Sequence, residues 1–318
     1  MKRILSVLLV AVMLLSLAAC GGSTTMTMGT GSPTGTYYAY GGIVGQYITN
    51  NAGVTVNAVS TGGSKDNIQG IDVGDYQLGT VQSDVMHYAW NGTRSFEEDG
   101  KITTFRTVAG LYAEAVQLVT VNNDIQSVAD LKGKKVSIGA PGSGVYFNAV
   151  DVLAAADLTV DDIQPQYQNF DESADALKDG KIDAAFIVAG APTPAISELS
   201  MSNGNVRIVP IDGTIADKLM KDNTFYSVYK IPAETYKNQT AEVATVTVKA
   251  TLIVSASASE NDVYNLTAAI FNNTDAIAKD HAKGTELSLQ NATEGLTVPF
   301  HAGAAKYFKE KGIDVTVE

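Results

Sequence analysis

Polar and apolar positions along this chain fall into short segments whose period switches repeatedly between two and about 3.6 residues, the periods of strand and helix. Thr25 to Thr30 alternates, and Gly31-Ser-Pro-Thr-Gly35 breaks the pattern. Tyr37 to Ile48 follows with helical spacing. Val54 to Val59 is a β-branched run closed by Ser60-Thr-Gly-Gly-Ser64, and a short helix runs through Ile68 and Ile71. Gln77 to Val81 predicts a strand and Asp84 to Trp90 a helix. Thr103 to Leu111 and Ala115 to Val121 predict two further strands.

The second half repeats the theme. Ser127 to Leu131 reads as a helical turn, Lys135 to Gly139 as a buried strand, and Val145 to Ala156 as a helix behind the turn Ala140-Pro-Gly-Ser-Gly144. Ile163 to Tyr167, helix Asp171 to Asp179, and Ala184 to Val188 come next. Gly190-Ala-Pro-Thr-Pro194 turns into a helix near Ile196 to Ser200. Val206 to Ile211 and Ile215 to Asp222 complete the block. Val243 to Val254 is one long β-branched strand, Glu260 to Asp280 one long amphipathic helix, and Ala304 to Lys311 the last helix. Alternating short strands and helices predict an α/β protein. Two such blocks joined by extended crossovers predict two lobes with a ligand cleft between them, able to close by hinge motion.

The first residues change the expected location. Lys2 and Arg3 precede an apolar run from Ile4 to Leu17, and Leu17-Ala-Ala-Cys20 follows. A charged start, a short apolar run and small residues before a cleavage point make an export signal. The run is short for a membrane span, which needs about 20 apolar residues. Two readings of Cys20 stay open: a lipidated first residue of the mature chain, or a cysteine beside an ordinary signal. The first is preferred because Cys20 is the single cysteine, so no intramolecular disulfide explains an exported thiol. Residues 1–19 are then a signal peptide and 20–25 a tether, with Ser23 to Thr25 as linker. The mature protein is expected outside the cytoplasm, anchored to the membrane by lipid on Cys20.

The formal charge is −12, and loss of Lys2 and Arg3 makes it more negative. That balance argues against nucleic acid and anionic membrane surfaces as partners. Candidate chemistry lies in four turns that carry Gly, Ser or Thr between a strand and a helix: Gly31 to Thr36, Ser60 to Ser64, Pro141 to Gly144, and Gly190 to Thr193. Helix N-termini leave backbone N–H groups unpaired and favour negative charge, so such turns suit anions. Nucleotide and hydrolase motifs fail: Gly29-Thr-Gly31 lacks the third glycine at the required place, and no G-x-S-x-G occurs. His87, His281 and His301 lack metal-ligand spacing; His87 reads as structural and His301 as a helix cap. No cofactor or metal is expected. Arg94, Arg106 and Arg207 lie outside the four turns, so backbone amides and hydroxyls are expected to hold an anionic solute. Tyr37 stands out among the aromatics, just past the Gly-Thr cap.

Gly29-Thr-Gly-Ser-Pro-Thr-Gly-Thr-Tyr-Tyr38, Ser60-Thr-Gly-Gly-Ser64, Leu78-Gly-Thr-Val-Gln-Ser-Asp84 and Ser127-Val-Ala-Asp-Leu-Lys-Gly-Lys-Lys-Val-Ser-Ile-Gly-Ala-Pro-Gly-Ser-Gly144 occur in that order. Ala189-Gly-Ala-Pro-Thr-Pro194 and Pro299-Phe-His-Ala-Gly-Ala-Ala-Lys-Tyr-Phe308 follow. The ordered set resembles the TAXI-type solute receptors of tripartite ATP-independent periplasmic (TRAP) transporters. The resemblance implies a type II periplasmic-binding-protein fold, with lobe 1 formed by 26–112 and 250–318 and lobe 2 by 113–249. It implies a monomeric, non-catalytic receptor that hands a small anionic or zwitterionic solute, such as glutamate, glutamine or 2-oxoglutarate, to TRAP membrane permease subunits. Carried over by position, the solute contacts would be Gly35, Thr36, Tyr37, Thr61, Gly62 and Gln82 from one lobe, and Ser143, Gly144 and Ala191 from the other. The opening motif departs from the family form at Ser32-Pro33, and Val145 departs from the usual small or polar residue. Rival readings are an ABC-transporter receptor of the same fold, a sensory lipoprotein and an exported hydrolase.

Overall fold

The computed structural model describes residues 24–317. The export signal, its cleavage point and Cys20 lie outside the described residues.

The chain opens with β1 (Thr24–Gly29), α1 (Thr36–Asn51), β2 (Val54–Val59), α2 (Ser64–Asp72), β3 (Leu78–Gln82) and α3 (Ser83–Asn91). β1 lies between β2 and β3, parallel to both. Thr24 and Thr25, expected in a tether, are the first rungs of β1, opposite Val54 and Thr55. The long strand β4 (Phe105–Thr120) then carries the chain across to the second lobe.

There, β5 (Lys135–Ser137), α4 (Val145–Ala155), β6 (Gln164–Gln166), α5 (Phe170–Lys178), β7 (Ala184–Ala189) and α6 (Pro194–Ser202) repeat the alternation. β8 (Arg207–Val209), α7 (Gly213–Asp222) and β9 (Ser227–Ile231) complete it, and β10 (Val243–Ser255) returns. α8 (Glu260–Phe271), α9 (Thr274–Asp280), α10 (Leu289–Thr293) and α11 (Ala302–Glu310) pack on the first lobe, where Leu266, Ile277, Ala292 and Phe308 share a core with Met28, Tyr40 and Val44.

One mixed sheet joins everything, in the order β2-β1-β3-β10-β4-β7-β5-β6, with β8 beside β4 and β9 beside β10. β4 and β10 are its spine. They pair antiparallel from Phe105 opposite Ser255 to Ala115 opposite Thr247, with register irregularities near Lys249 and Leu252. The Ala250–Val254 end of β10 also pairs with β3, while its Val243–Thr247 end pairs with β9. Each spine strand therefore serves one lobe with one half and the other lobe with the other. Separate cores, one around Met28 and Leu252 and another around Val136 and Phe186, sit on the two sides.

Three elements differ from the sequence expectation. The two strands expected between Thr103 and Val121 are the single strand β4, because Tyr112 and Glu114 are buried and the pairing with β10 runs on through Ala113 and Glu114. The helix expected from Glu260 to Asp280 breaks after Phe271, where Asn273 leaves helical geometry at φ −122°, ψ 19°. Asparagine side chains compete for backbone hydrogen bonds and favour such ends. β9 gave no signal because most of its side chains are exposed, so its sequence lacks an apolar run.

Candidate functional site

Between the lobes lies a cavity of about 280 Å³. The first lobe supplies Gly31 to Tyr37, less Thr34, together with Ser60 to Ser64 and Gln82; the crossover strand β4 supplies Glu114; the second lobe supplies Ala140, Ser143 to Val145, Asn169, Phe170, Val188 and Ala189. Such a volume is at the small end of ligand sites. It suits a solute of roughly amino-acid size.

Three helices begin in this wall. α1 starts behind Gly35, α2 behind Gly63 and α4 behind Gly144, and at none of these starts does a side chain cap the helix. First-turn amides of α1 and α4 are thus left to the cavity, whereas Lys65 and Asp66 of α2 donate theirs to Gly142 O of the facing turn. The positive ends of three helix dipoles still point at the wall. Glycine is required at two of these positions. Gly63 has φ +115°, a region that L side chains avoid. A Cβ on Gly144 would stand 1.7 Å from Gln82 Oε1 and 2.7 Å from a Val85 methyl.

The opposite chemistry sits beside these donors. Tyr37 donates through its hydroxyl to Glu114 Oε2 at 2.7 Å. Glu114 is 2% exposed, and burial, reinforced by the charge of Asp84, pushes its carboxyl up to about 8 despite the Tyr37 bond and the more distant Lys283. Burial first, and Glu114 second, raise the Tyr37 hydroxyl well above its ordinary value. Among the described residues lining the cavity, none is lysine or arginine. Lys283 is close by but engaged, at 2.6 Å from Glu286 Oε1 and 3.1 Å from the Tyr229 hydroxyl.

The lobes are closed on each other around the cavity. At its mouth Ser32 and Thr34 donate to the two Asp171 oxygens, Thr36 Oγ1 donates to Gly190 O at 2.9 Å, and Lys65 N donates to Gly142 O at 3.0 Å. On the far side Gln82 Nε2 donates to Asn148 Oδ1, and Asn148 Nδ2 donates to Asp84 Oδ2 and the Tyr226 hydroxyl. Tyr226 donates to Asp151 Oδ2, which also faces Arg94 across the lobe boundary. Burial pushes Asp84 up to about 6.

The structure brings Gly35, Thr36, Tyr37, Thr61, Gly62, Gln82, Ser143 and Gly144 to this one cavity. Ala191 is the exception. It is buried in an apolar cluster with Ile187, Ile196 and Leu199, and the wall at that point is made by Val188 and Ala189. The fourth turn, Gly190 to Thr193, accordingly serves closure: Gly190 O receives the Thr36 hydroxyl, while Thr193 Oγ1 bonds back to Gly190 O. The Thr36 and Ser143 hydroxyls are both committed, the latter to Ala140 O at 2.7 Å, so backbone amides are the free donors of these turns. Sequence reasoning missed Glu114. Its signal was available, as the one carboxylate in the otherwise uncharged run from Thr107 to Val121.

A model of the NMT1-like family matches residues 28–312. The chain belongs to the NMT1-like family.

Solved structures with the same architecture include the alkanesulfonate-binding protein SsuA from Xanthomonas axonopodis pv. citri bound to MOPS, 16% identical over 91% of each chain with a TM-score of 0.50. A protein from Bordetella bronchiseptica RB50 is 19% identical, over 90% of this chain and 89% of that one, with a TM-score of 0.54. The zinc-bound ligand-binding component of an ABC-type import system from Staphylococcus aureus is 10% identical, over 83% of this chain and 79% of that one, at 0.51. The fold is thus the two-lobed type II periplasmic-binding-protein architecture, and this NMT1-like chain stands among extracytoplasmic solute-binding proteins. Among the described residues of this family member, no helix is long and apolar enough to cross a membrane, and no cluster of three His, Cys, Asp or Glu side chains could hold a metal ion.

Proposed function

We propose that this protein is the solute receptor of a TRAP transporter of the TAXI type, tethered by lipid on Cys20, and that it captures a small carboxylate without chemical change. The observation that carries the reading is the convergence of the α1 and α4 N-termini, without side-chain caps, beside the start of α2 on a cavity whose described wall holds no basic side chain. Such a site holds a carboxylate by backbone N–H groups and helix dipoles. The ordered motifs from Gly29 to Phe308 support the TRAP assignment, and the permease subunits would then read the closed shape. The lobes would be 26–112 with 250–318, and 113–249, hinged at β4 and β10.

A second reading is a receptor for an ABC-type importer, favoured by the shared architecture with the Staphylococcus aureus component. Reconstitution with each class of permease separates the two, since only the true partner transports.

Thermal unfolding of residues 21–318 against a panel of amino acids, dicarboxylates and sulfonates tests the site. A carboxylate at 100 times its Kd should stabilise the protein by about 2.7 kcal/mol. For a chain of this size that is a rise in Tm of about 4 °C. Gly144→Ala, which places a methyl group against Gln82 Oε1, should abolish the rise while the variant still folds cooperatively. A rise with sulfonates alone would overturn the carboxylate assignment.

A further inference from the structure

The donors in this cavity account for one end of a solute. Two acceptors in the same wall have no such account. Gln82 is 2% exposed, and its Oε1 accepts no hydrogen bond among the described residues. Its orientation is fixed by what lies behind it. Asn148 Nδ2 donates to Asp84 Oδ2 and Tyr226, so Asn148 presents Oδ1 to Gln82, and Gln82 must present Nε2 to Asn148. Gln82 Oε1 is left over, against Gly144 at the cavity wall. A buried acceptor with no donor costs about 1–3 kcal/mol, so a site that keeps one usually has a ligand for it.

Glu114 is the second acceptor. Its Oε2 takes the Tyr37 hydroxyl, and no cation in the described wall pairs with the carboxyl. The groups that face it from its neighbours are Tyr37 of α1, Tyr112 of its own strand, Asp84 of α3, and Lys283 of the turn Ala282–Glu286. Lys283 is already paired with Glu286. A carboxyl at this place repels a purely anionic solute once ionised, and it attracts a solute that carries a positive end as well.

We propose that Glu114 and Gln82 Oε1 form a second subsite in this cavity, which takes the amino group of a zwitterionic solute whose carboxylate lies at the helix N-termini. The inference rests on the reading of the cavity as a carboxylate site. It selects amino acids over oxo acids and plain dicarboxylates, and it couples capture to a proton. With a carboxyl pushed up to about 8, roughly nine-tenths of the empty protein holds the Glu114 proton at pH 7. An ammonium group seated against Glu114 favours the ionised form. The O–H bond of Glu114 then breaks, the proton passes to solvent, and the amino group stays an ammonium.

The experiment is titration calorimetry at pH 7 in two buffers of different ionisation enthalpy. L-glutamate, L-glutamine and L-leucine are compared with glutarate, glutaramate and 4-methylpentanoate, which lack only the amino group. The expected result is that an amino member binds at least about tenfold more tightly than its partner and releases close to one proton. Glu114→Gln should abolish the release and most of the preference, with a cooperative melt showing that it folds. The release by the unmodified protein tests the subsite independently of that variant. Amino-free analogues that bind as tightly, with no proton released, would overturn the subsite and leave the carboxylate reading standing. Binding of neither series would overturn both.

Discussion

Replacing Arg94 with methionine should weaken solute capture without changing which solutes are captured. Arg94 belongs to the first lobe, in the short 3-10 turn Arg94–Phe96 after α3, and reaches Asp151 on α4 of the second. Its Nη2 lies 2.8 Å from Asp151 Oδ1 and its Nη1 3.3 Å from Oδ2. The guanidinium also lies 5.1 Å from the ring centre of Tyr88 and 5.2 Å from that of Phe147. The backbone there is left-handed, at φ 52°, which costs a non-glycine residue about 1–2 kcal/mol. A forked ion pair, only 32% and 16% exposed at its two side chains, contributes about 1–2 kcal/mol here, and the ring contacts about 0.5–1 kcal/mol more. The Asp151 and Phe147 contacts cross the lobe boundary and are lost when the lobes part, whereas Tyr88 belongs to the same lobe as Arg94. Loss of the crossing contacts should shift the closing equilibrium by about 1.5–3 kcal/mol, and Kd should rise by roughly 10- to 150-fold. Calorimetry over a solute series measures the Kd ratios, and small-angle scattering of the solute-free protein reports opening. An unchanged Kd, or a penalty that differs between solutes, would refute the latch. So would a loss of Tm that is the same with and without solute.

The solute-free protein should lose stability as pH rises. The folded Glu114 carboxyl sits at about 8 against an ordinary 4.5, so the native state binds more protons than the unfolded state through that window. Stability is therefore fullest below pH 4.5 and falls until pH 8, by about 2–3 kcal/mol between pH 5 and 7 for this group. Glu114→Gln should flatten the urea-midpoint profile between pH 6 and 8, and parallel profiles would refute the assignment. Asp84, at about 6, adds the same sign at lower pH, so a residual slope below pH 6 should survive in that variant. Asn148→Leu should cost about 2–4 kcal/mol, because Gln82, Asp84 and Tyr226 each lose a buried partner. Urea unfolding checks it, and a cost below about 1 kcal/mol would show that the three groups find other partners.

By itself the sequence determined most of the local structure and three sides of the site. Strand and helix periods are local properties, and so are the uncapped glycine turns before α1, α2 and α4, which can be recognised one at a time. Tertiary structure decided what these pieces do together. Ala191 looked like the other turn residues, yet packing of Ile187, Ile196 and Leu199 draws it into the core and leaves Val188 and Ala189 at the cavity. Glu114 could be seen as a lone charge in an apolar run, but its meaning depends on α1 laying the Tyr37 hydroxyl on it and on Lys283 being taken by Glu286. Arg94, which lies outside every glycine turn, became a candidate latch only when α4 brought Asp151 within reach. For Glu114 and Arg94 the deciding partners Tyr37 and Asp151 lie 77 and 57 residues away in sequence, and no local pattern records such a pairing. Burial then sets the charge state, because desolvation is a property of everything that surrounds a group.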